Sequence, residues 1–240
     1  MHFILKKIGA FIRWTVAAFL GSTVLAVVAL RFLPVYFTPL MFIRCYEQVK
    51  EGRDLKLSHN WVPLSEISPS LPRAVMASED AKFLDHHGFD YEAIEHAAER
   101  NRKHPEKRKL GASTISQQTA KNAFLWPGRS WVRKGFEVYF TGLIELLWSK
   151  QRIMEVYLNS IEMGEGIYGA QAVAEEHFGT TAKDLSRAQC ALIAATLPNP
   201  RKYSSKNPSP YMIARQAKIL IEMNFVKSLP KEGEDVKKKK

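Results

Sequence analysis

The chain has 240 residues, 46% hydrophobic and 25% charged, which is typical of a protein that buries a hydrophobic core. Its formal net charge of +11 favours anionic partners such as phospholipid, a phosphorylated substrate or nucleic acid. Nucleic acid is the weaker alternative, because no recognised binding motif occurs and the basic residues form no single amphipathic stripe. The only two cysteines, Cys45 and Cys190, are too few for a disulfide framework, and we expect Cys190 to be a buried thiol.

The N-terminal segment predicts a membrane anchor. No charged residue occurs from Trp14 to Leu30, and the apolar character resumes after Arg31. About 20 apolar residues span a bilayer, and basic residues ahead of such a span place the N-terminus in the cytoplasm. A cleaved signal peptide is the rival interpretation, but no small-x-small cleavage site follows the run. We expect an uncleaved anchor, with Pro34 and Pro39 marking the exit from the membrane.

Helical patterns dominate the rest of the chain, and no alternating strand pattern of useful length occurs. Pro72 suits the first turn of a helix that runs to about Leu84. Thr114 with Gln117, and Ser186 with Gln189, each match a capping box. The charge run 100–109 indicates a solvated loop. The other predicted helices cover residues 92–104, 131–148, 150–163, 170–177, 186–197 and 211–226. The predicted fold class is therefore mainly α.

Two glutamates stand out as candidate catalytic groups. On its predicted helix Glu79 shares a face with Val75 and Phe83, at i−4 and i+4. A carboxylate on an apolar face tends to have a raised pKa, which suits a general base. The alternative is that Glu79 is merely exposed. Glu137 shares a helix face with Glu145, and composition alone fits a solvated helix residue as well as a catalytic one.

Amide and cationic side chains follow the first of these glutamates. Gln117, Gln118 and Lys121 fit a surface that binds sugar and phosphate, because amides bind hydroxyl groups and lysine binds phosphate as a point charge. Clusters of this kind are often only surface charge. The residues that would extend the cationic site are Arg129, Arg133 and Lys134.

A metal held by protein ligands is not expected, because neither a His-x-x-x-His nor a Cys-x-x-Cys spacing occurs among the seven histidines and two cysteines. The adjacent His86 and His87 do not readily face one site from a helix. A Mg²⁺ ion carried by a phosphorylated substrate is a separate option. We therefore expect no tightly bound cofactor.

Four ordered motifs between residues 79 and 169 resemble those of the peptidoglycan glycosyltransferase family, which elongates glycan strands from lipid II. The first motif is matched by Glu79, Asp80, Phe83, His86, Gly88 and Asp90. The second is matched by Gly111, Ser113, Thr114, Ile115, Gln117, Gln118, Lys121 and Asn122. The third is matched by Arg133, Lys134 and Glu137, and the fourth by Glu155, Tyr157, Leu158, Asn159, Gly164, Gly166, Tyr168 and Gly169. A mild departure is His177, where the family often has Tyr.

The resemblance implies a reaction and roles for several of the motif residues. Glu79 would be the general base that takes a proton from the 4-hydroxyl of the acceptor's N-acetylglucosamine, and Glu137 the second carboxylate, on the donor side. Lys121, with Arg129, Arg133 and Lys134, would stabilise the leaving pyrophosphate. Ser113, Gln117, Gln118 and Asn122 would orient sugars or hold helix geometry. The full set of predicted substrate-binding residues is Asp80, Phe83, His86, Ser113, Thr114, Gln117, Gln118, Lys121, Asn122, Arg129, Arg133 and Lys134.

The resemblance also implies the organisation of the chain and its partners. It predicts a lysozyme-like domain with a smaller membrane-facing jaw, and the sequence shows no downstream transpeptidase domain, so we expect a monofunctional enzyme of a Gram-negative inner membrane. The partners would be lipid II, the growing lipid-linked strand, the membrane and other cell-wall synthesis proteins. A glycan-cleaving enzyme of similar fold and an inactive scaffold are the alternatives. The expected segments are a cytoplasmic N-terminus (1–13), the anchor and membrane exit (14–37), a periplasmic domain (38–228) and a charged tail (229–240).

Overall fold

The computed structural model describes residues 2–107, 109–128 and 130–230. The chain divides into two compact units at Pro34 and Val35. The first unit contains one helix, α1 (His2–Leu30). Its Lys6–Leu30 portion is long and apolar enough to cross a membrane, and few of its side chains are buried. The helix begins before the predicted anchor, and it ends at Leu30, where the uncharged run of the sequence also ends.

The second unit is built mainly from α-helices, which confirms the predicted fold class. Within the described residues they are α2 (Pro39–Lys50), α3 (Ser70–Glu79), α4 (Tyr91–Lys103), α5 (Ile115–Phe124), α6 (Trp131–Leu147), α7 (Lys150–Ser160), α8 (Gly169–Phe178), α9 (Arg187–Thr196) and α10 (Pro210–Glu222). A single 3₁₀ turn covers Leu64–Glu66. The capping boxes that open α5 and α9 form as the sequence indicates.

A small sheet joins two parts of this unit that are far apart in the sequence. Its strands are β1 (Ser58–His59), β2 (Glu162–Gly164) and β3 (Ile167–Tyr168), in the order β1-β3-β2. Strand β3 pairs parallel with β1 and antiparallel with β2. No alternating pattern predicts these strands, because strands of two or three residues are too short to show alternation.

Helix α2 was also missed by the sequence analysis. Pro39 is its first residue, where a proline is favourable, and the Thr38 hydroxyl accepts a hydrogen bond from the Met41 amide. Pro39 therefore starts a helix, and its predicted place at the membrane exit stays a prediction. Gly52, with φ of +66°, occupies the turn that follows α2.

Two predicted boundaries were wrong in ways that affect the site. Helix α3 ends at Glu79 and not near Leu84, because Asp80 leaves the helical conformation with φ of −163°. Phe83 therefore does not share a helix face with Glu79. Arg100–Lys103 belong to the last turn of α4 rather than to a loop. The rest of the charge run includes Arg108, and most of the predicted disordered tail is 231–240, both outside the described residues.

Helix α7 forms the centre of the core. Its residues Ile153, Met154 and Val156–Ser160 are all buried. Helix α5 packs against both α6 and α7, while α9 packs against both α3 and α10. This arrangement fixes the end of α3 and the start of α5, the two segments that carry most of the motif residues. The thiol of Cys190 is buried within α9, as predicted.

Candidate active site

Glu79 lies at the C-terminal end of α3 and is partly buried. Its Oε2 atom accepts a hydrogen bond from Gln118 Nε2 at 3.2 Å, and its Oε1 atom accepts one from Ser78 Oγ at 3.4 Å. Burial raises the pKa of Glu79, although the contacts with Gln118, Arg215 and Ser78 counteract part of this rise. The carboxylate therefore has the raised pKa that the sequence predicted, but from the burial of a helix end rather than from an apolar helix face.

The neighbouring Asp80 has a structural role. Its carboxylate oxygens lie 3.0 and 3.1 Å from His86 Nε2, and its Oδ2 atom accepts a hydrogen bond from the Ile115 amide at 2.9 Å. Ile115 is the first residue of α5, where backbone N–H groups lack partners within the helix. Asp80 therefore ties the end of α3 to the start of α5. Through this contact the first two motifs become neighbours in space.

Several residues predicted to bind substrate instead hold the frame of the site. Thr114 and Gln117 form the capping box of α5, and Thr114 Oγ1 also donates a hydrogen bond to the Gly88 carbonyl at 2.6 Å. Phe83 has no exposed surface, and Lys150 Nζ lies 4.5 Å from the centroid of its ring. These side chains are buried, and their contacts within the described residues hold the helix end and its neighbours in place. Substrate contact by Thr114, Gln117 and Phe83 stays a prediction.

A cationic cluster surrounds Glu137 on α6. Arg133 Nη1 donates to Glu137 Oε2 at 2.5 Å, and Lys134 Nζ pairs with Glu137 Oε1. Glu137 is only 4% exposed, so it is not the solvated helix residue that composition allowed. The Ser130 hydroxyl caps α6 by accepting a hydrogen bond from the Arg133 amide.

Lys121 lies between the two glutamates. Burial lowers its pKa, the charge of Glu137 opposes that effect, and Arg133 and Lys134 add to it. The charge of Glu79 also acts on Lys121. No ion pair to Lys121 occurs among the described side chains. The Lys121 ammonium group therefore interacts electrostatically with both carboxylates. An anionic group of a substrate could bind beside it.

The remaining predicted site residues divide by their exposure. Ser113 is exposed at the start of the second motif, whereas Asn122 is buried on α5. Arg129 lies outside the described residues, so its predicted role stays a prediction.

An open cavity of about 360 Å³ lies beside the first motif, and Lys82, Asp85 and His86 are in its lining. That lining, over the part of the chain that the structure describes, contains neither Glu79 nor Lys121.

Three groups that contact the site were not among the residues predicted for it. Tyr157 on α7 donates its hydroxyl to Gln118 Oε1 at 3.3 Å, and Arg215 on α10 donates to Ser78 Oγ at 3.0 Å. Tyr157 was noticed only as part of the fourth motif, and Arg215 not at all, because it is 136 positions after Glu79. The third, Lys150, pairs with Glu145 at 2.8 Å beneath the first motif.

A protein-family model described as Transglycosylase matches residues 47–224 of this chain. The chain belongs to the transglycosylase family. A biosynthetic peptidoglycan transglycosylase of Bacteroides thetaiotaomicron is 58% identical over 242 residues, 98% of this chain and 97% of that relative. Proteins of the same name from Caulobacter vibrioides and Bdellovibrio bacteriovorus are 55% and 52% identical, over 83% and 87% of this chain and 83% and 84% of those relatives. The resemblance seen in the four motifs is thereby confirmed, and the transglycosylase match supports the lysozyme-like description of the helical unit.

Proposed function

We propose that this chain polymerises lipid II into glycan strands, with Glu79 as the general base. The chain is a peptidoglycan glycosyltransferase by its family and by relatives that match almost its whole length. The observation that carries the catalytic assignment is the placement of a partly buried carboxylate of raised pKa beside Lys121, which also neighbours the Arg133–Glu137 pair. A base and a cationic site for a leaving pyrophosphate are the two parts that glycosyl transfer from a pyrophosphate donor needs.

In the proposed reaction Glu79 takes the proton from the 4-hydroxyl of the acceptor's N-acetylglucosamine as that oxygen forms a bond to C1 of the donor's N-acetylmuramic acid. The bond from C1 to the α-linked pyrophosphate oxygen breaks, and its electron pair leaves with the polyprenyl pyrophosphate. Attack on the opposite face gives a β-1,4 bond with inversion. Lys121 stabilises the negative charge that grows on the pyrophosphate, with Lys134, Arg133 and Arg129 as further cations.

The placement of Glu137 supports a role on the donor side. Its carboxylate holds Arg133 and Lys134 in fixed positions, so these cations are oriented before a pyrophosphate arrives. We assign Glu137 to this orienting role and not to proton transfer. A Mg²⁺ ion carried by the substrate pyrophosphate would add to this positive charge, and its requirement is tested by adding a chelator to the polymerisation assay.

We further propose that α1 crosses the inner membrane once and places the 38–228 domain in the periplasm. Basic residues Lys6 and Lys7 precede the apolar run, which favours a cytoplasmic N-terminus. Donor and acceptor both carry polyprenyl chains, so an anchored enzyme and its substrates share one plane and meet at raised effective concentration. The net positive charge suits anionic lipid.

Incubation of the purified full-length protein with lipid II tests the proposal against its alternatives. Lengthening glycan polymer, released polyprenyl pyrophosphate and no fragments from isolated sacculi are the expected results. A raised-pKa glutamate also suits a general acid, so soluble fragments from sacculi without polymer would instead support a glycan-cleaving enzyme. Absence of both products from folded protein would support a scaffold.

A further inference from the structure

Two chains of hydrogen bonds reach Glu79 from different helices. In the first, which we name the Tyr157 relay, the Tyr157 hydroxyl donates to Gln118 Oε1 and Gln118 Nε2 donates to Glu79 Oε2, over 3.3 and 3.2 Å. In the second, the Arg215 relay, Arg215 Nη2 donates to Ser78 Oγ and Ser78 Oγ donates to Glu79 Oε1, over 3.0 and 3.4 Å. Each carboxylate oxygen therefore has its own donor.

The Tyr157 relay determines which end of the Gln118 amide faces the base. The oxygen and nitrogen ends of an amide have nearly the same shape, so only their hydrogen bonds distinguish them. Tyr157 has no exposed surface, and burial raises its pKa well above the ordinary value, so the hydroxyl keeps its proton and acts as a donor. It occupies Oε1 and leaves the N–H group of Gln118 directed at Glu79.

The Arg215 relay orients a hydroxyl and supplies a positive charge. The single Ser78 hydroxyl proton has two acceptors within 3.4 Å, Glu79 Oε1 and the Ala194 carbonyl. The guanidinium of Arg215 donates to the Ser78 oxygen, so the proton must point away from Arg215. The Arg215 charge itself favours the ionised form of Glu79.

We propose that Gln118, Tyr157, Ser78 and Arg215 are positioning residues that hold the Glu79 carboxylate in one orientation and set its proton affinity. This inference rests on the proposed role of Glu79 as the general base. One donor to each oxygen still leaves lone pairs free to accept the proton of an incoming hydroxyl. The structure thus gives Gln118 a role on the enzyme's own base rather than on a sugar.

The charged and titratable groups around Glu79 come from four elements. Asp80 follows it directly, Lys121 lies on α5, Tyr157 on α7 and Arg215 on α10. Of these, the Asp80 charge raises the pKa of Glu79, and the Arg215 charge lowers it. Removal of a relay donor or of the Arg215 charge should therefore raise the pKa of Glu79, and the acid limb of the pH–rate profile should move to higher pH.

The central experiment compares Tyr157→Phe with Tyr168→Phe in lipid II polymerisation across pH. Both tyrosines are fully buried, but the Tyr168 hydroxyl has no hydrogen-bond partner over the described ranges and lies outside the relays. Tyr157→Phe should lower kcat on the order of tenfold, leave KM unchanged and shift the acid limb upward, because the Gln118 amide is free to flip. Tyr168→Phe should leave the acid limb at its wild-type position. Equal profiles for both variants would overturn the Tyr157 relay.

Gln118→Met separates a role on the base from a role on a sugar. Methionine has a similar volume but cannot donate to Glu79, so we expect the same shift of the acid limb and a fall in kcat. A raised KM with an unmoved acid limb would show that Gln118 binds the substrate instead. Gln118 is only partly buried, so this variant also carries the test if Tyr157→Phe does not fold, as judged by circular dichroism.

Arg215→Lys and Arg215→Met test the second relay, with Arg187→Met as a control that removes an arginine contacting α10 from outside the site. Lysine keeps the charge, so its acid limb should stay close to that of the wild type, whereas methionine should move it upward. Unmoved limbs for both would overturn the Arg215 relay. Glu79→Gln is measured in parallel: full activity of that variant would refute the base itself, whereas an inactive Glu79→Gln with unmoved relay variants refutes only the relays.

Discussion

Glu79 and Glu137 both influence Lys121, yet their own partners are of opposite kinds. Glu79 accepts its hydrogen bonds from an amide and a hydroxyl, and the nearest guanidinium reaches it only through Ser78. Glu137 pairs directly with a guanidinium and an ammonium group. The sequence alone did not distinguish the roles of Glu79 and Glu137. The groups that donate hydrogen bonds to their carboxylates do distinguish them.

The difference assigns the two carboxylates different tasks. A carboxylate with uncharged donors and a raised pKa can gain and lose a proton during a reaction. A carboxylate held between two cations uses both of its oxygens to orient those cations. Glu79 is therefore suited to accept the proton of the acceptor hydroxyl. Glu137 is suited to orient Arg133 and Lys134, which would stabilise the leaving pyrophosphate.

Glu79→Gln should show the largest effect on activity. Glutamine has almost the same shape and cannot accept the proton, so we expect the rate of lipid II polymerisation to fall about 10³-fold with an unchanged circular dichroism spectrum. Glu99→Gln is a matched control, because Glu99 is an exposed glutamate whose only ion pair is with Lys103 among the described residues. A near wild-type rate for Glu79→Gln would show that Glu79 is not the general base.

Lys121→Met should follow, with a fall in kcat on the order of 10²-fold. The Lys121 ammonium group makes no ion pair with a carboxylate among the described residues, so its charge is available to the pyrophosphate. Lys103→Met, which removes a surface lysine from α4, is the control and should change the rate little. If Lys121→Met raised KM alone, Lys121 would bind the ground state and not the developing charge.

Glu137→Gln should lower stability as well as activity. Two cations, one of them on the mostly buried Arg133, would lose their anion, and breaking such a pair costs about 3 kcal/mol. Thermal unfolding in detergent measures the loss. Inorganic pyrophosphate should restore the melting temperature of this variant more than it raises that of the wild type, because the ligand would replace the missing negative charge. Equal stabilisation of both would place the pyrophosphate away from Arg133 and Lys134.

The sequence predicted the helical class, the capping boxes of α5 and α9 and the resemblance, because those signals are local. It did not predict the partners of Glu79, since Tyr157 and Arg215 lie 78 and 136 positions further along the chain. It also extended α3 to Leu84, because the apolar Phe83 continues the helical spacing. Asp80 instead leaves the helix to bind the start of α5, a tertiary contact that local propensity cannot anticipate.

The smallest predicted effect concerns the pH dependence of stability. Burial raises the pKa of Glu79 above its ordinary value of 4.5, so between these two pKa values the folded protein retains a proton that the unfolded chain has released. The free energy of unfolding of the wild type should therefore carry a contribution that falls as pH rises from about 4.5 through the raised pKa of Glu79, and then stays level. Glu79→Gln has no such titration, so its stability relative to wild type should increase across that window and become constant above it.

Denaturant unfolding of both proteins at a series of pH values measures the difference. Glu137→Gln serves as the contrast, because it should be less stable than the wild type throughout that pH range. A constant difference between wild type and Glu79→Gln would mean that Glu79 titrates in the fold as it does in the unfolded chain, and its suitability as a buried base would be lost.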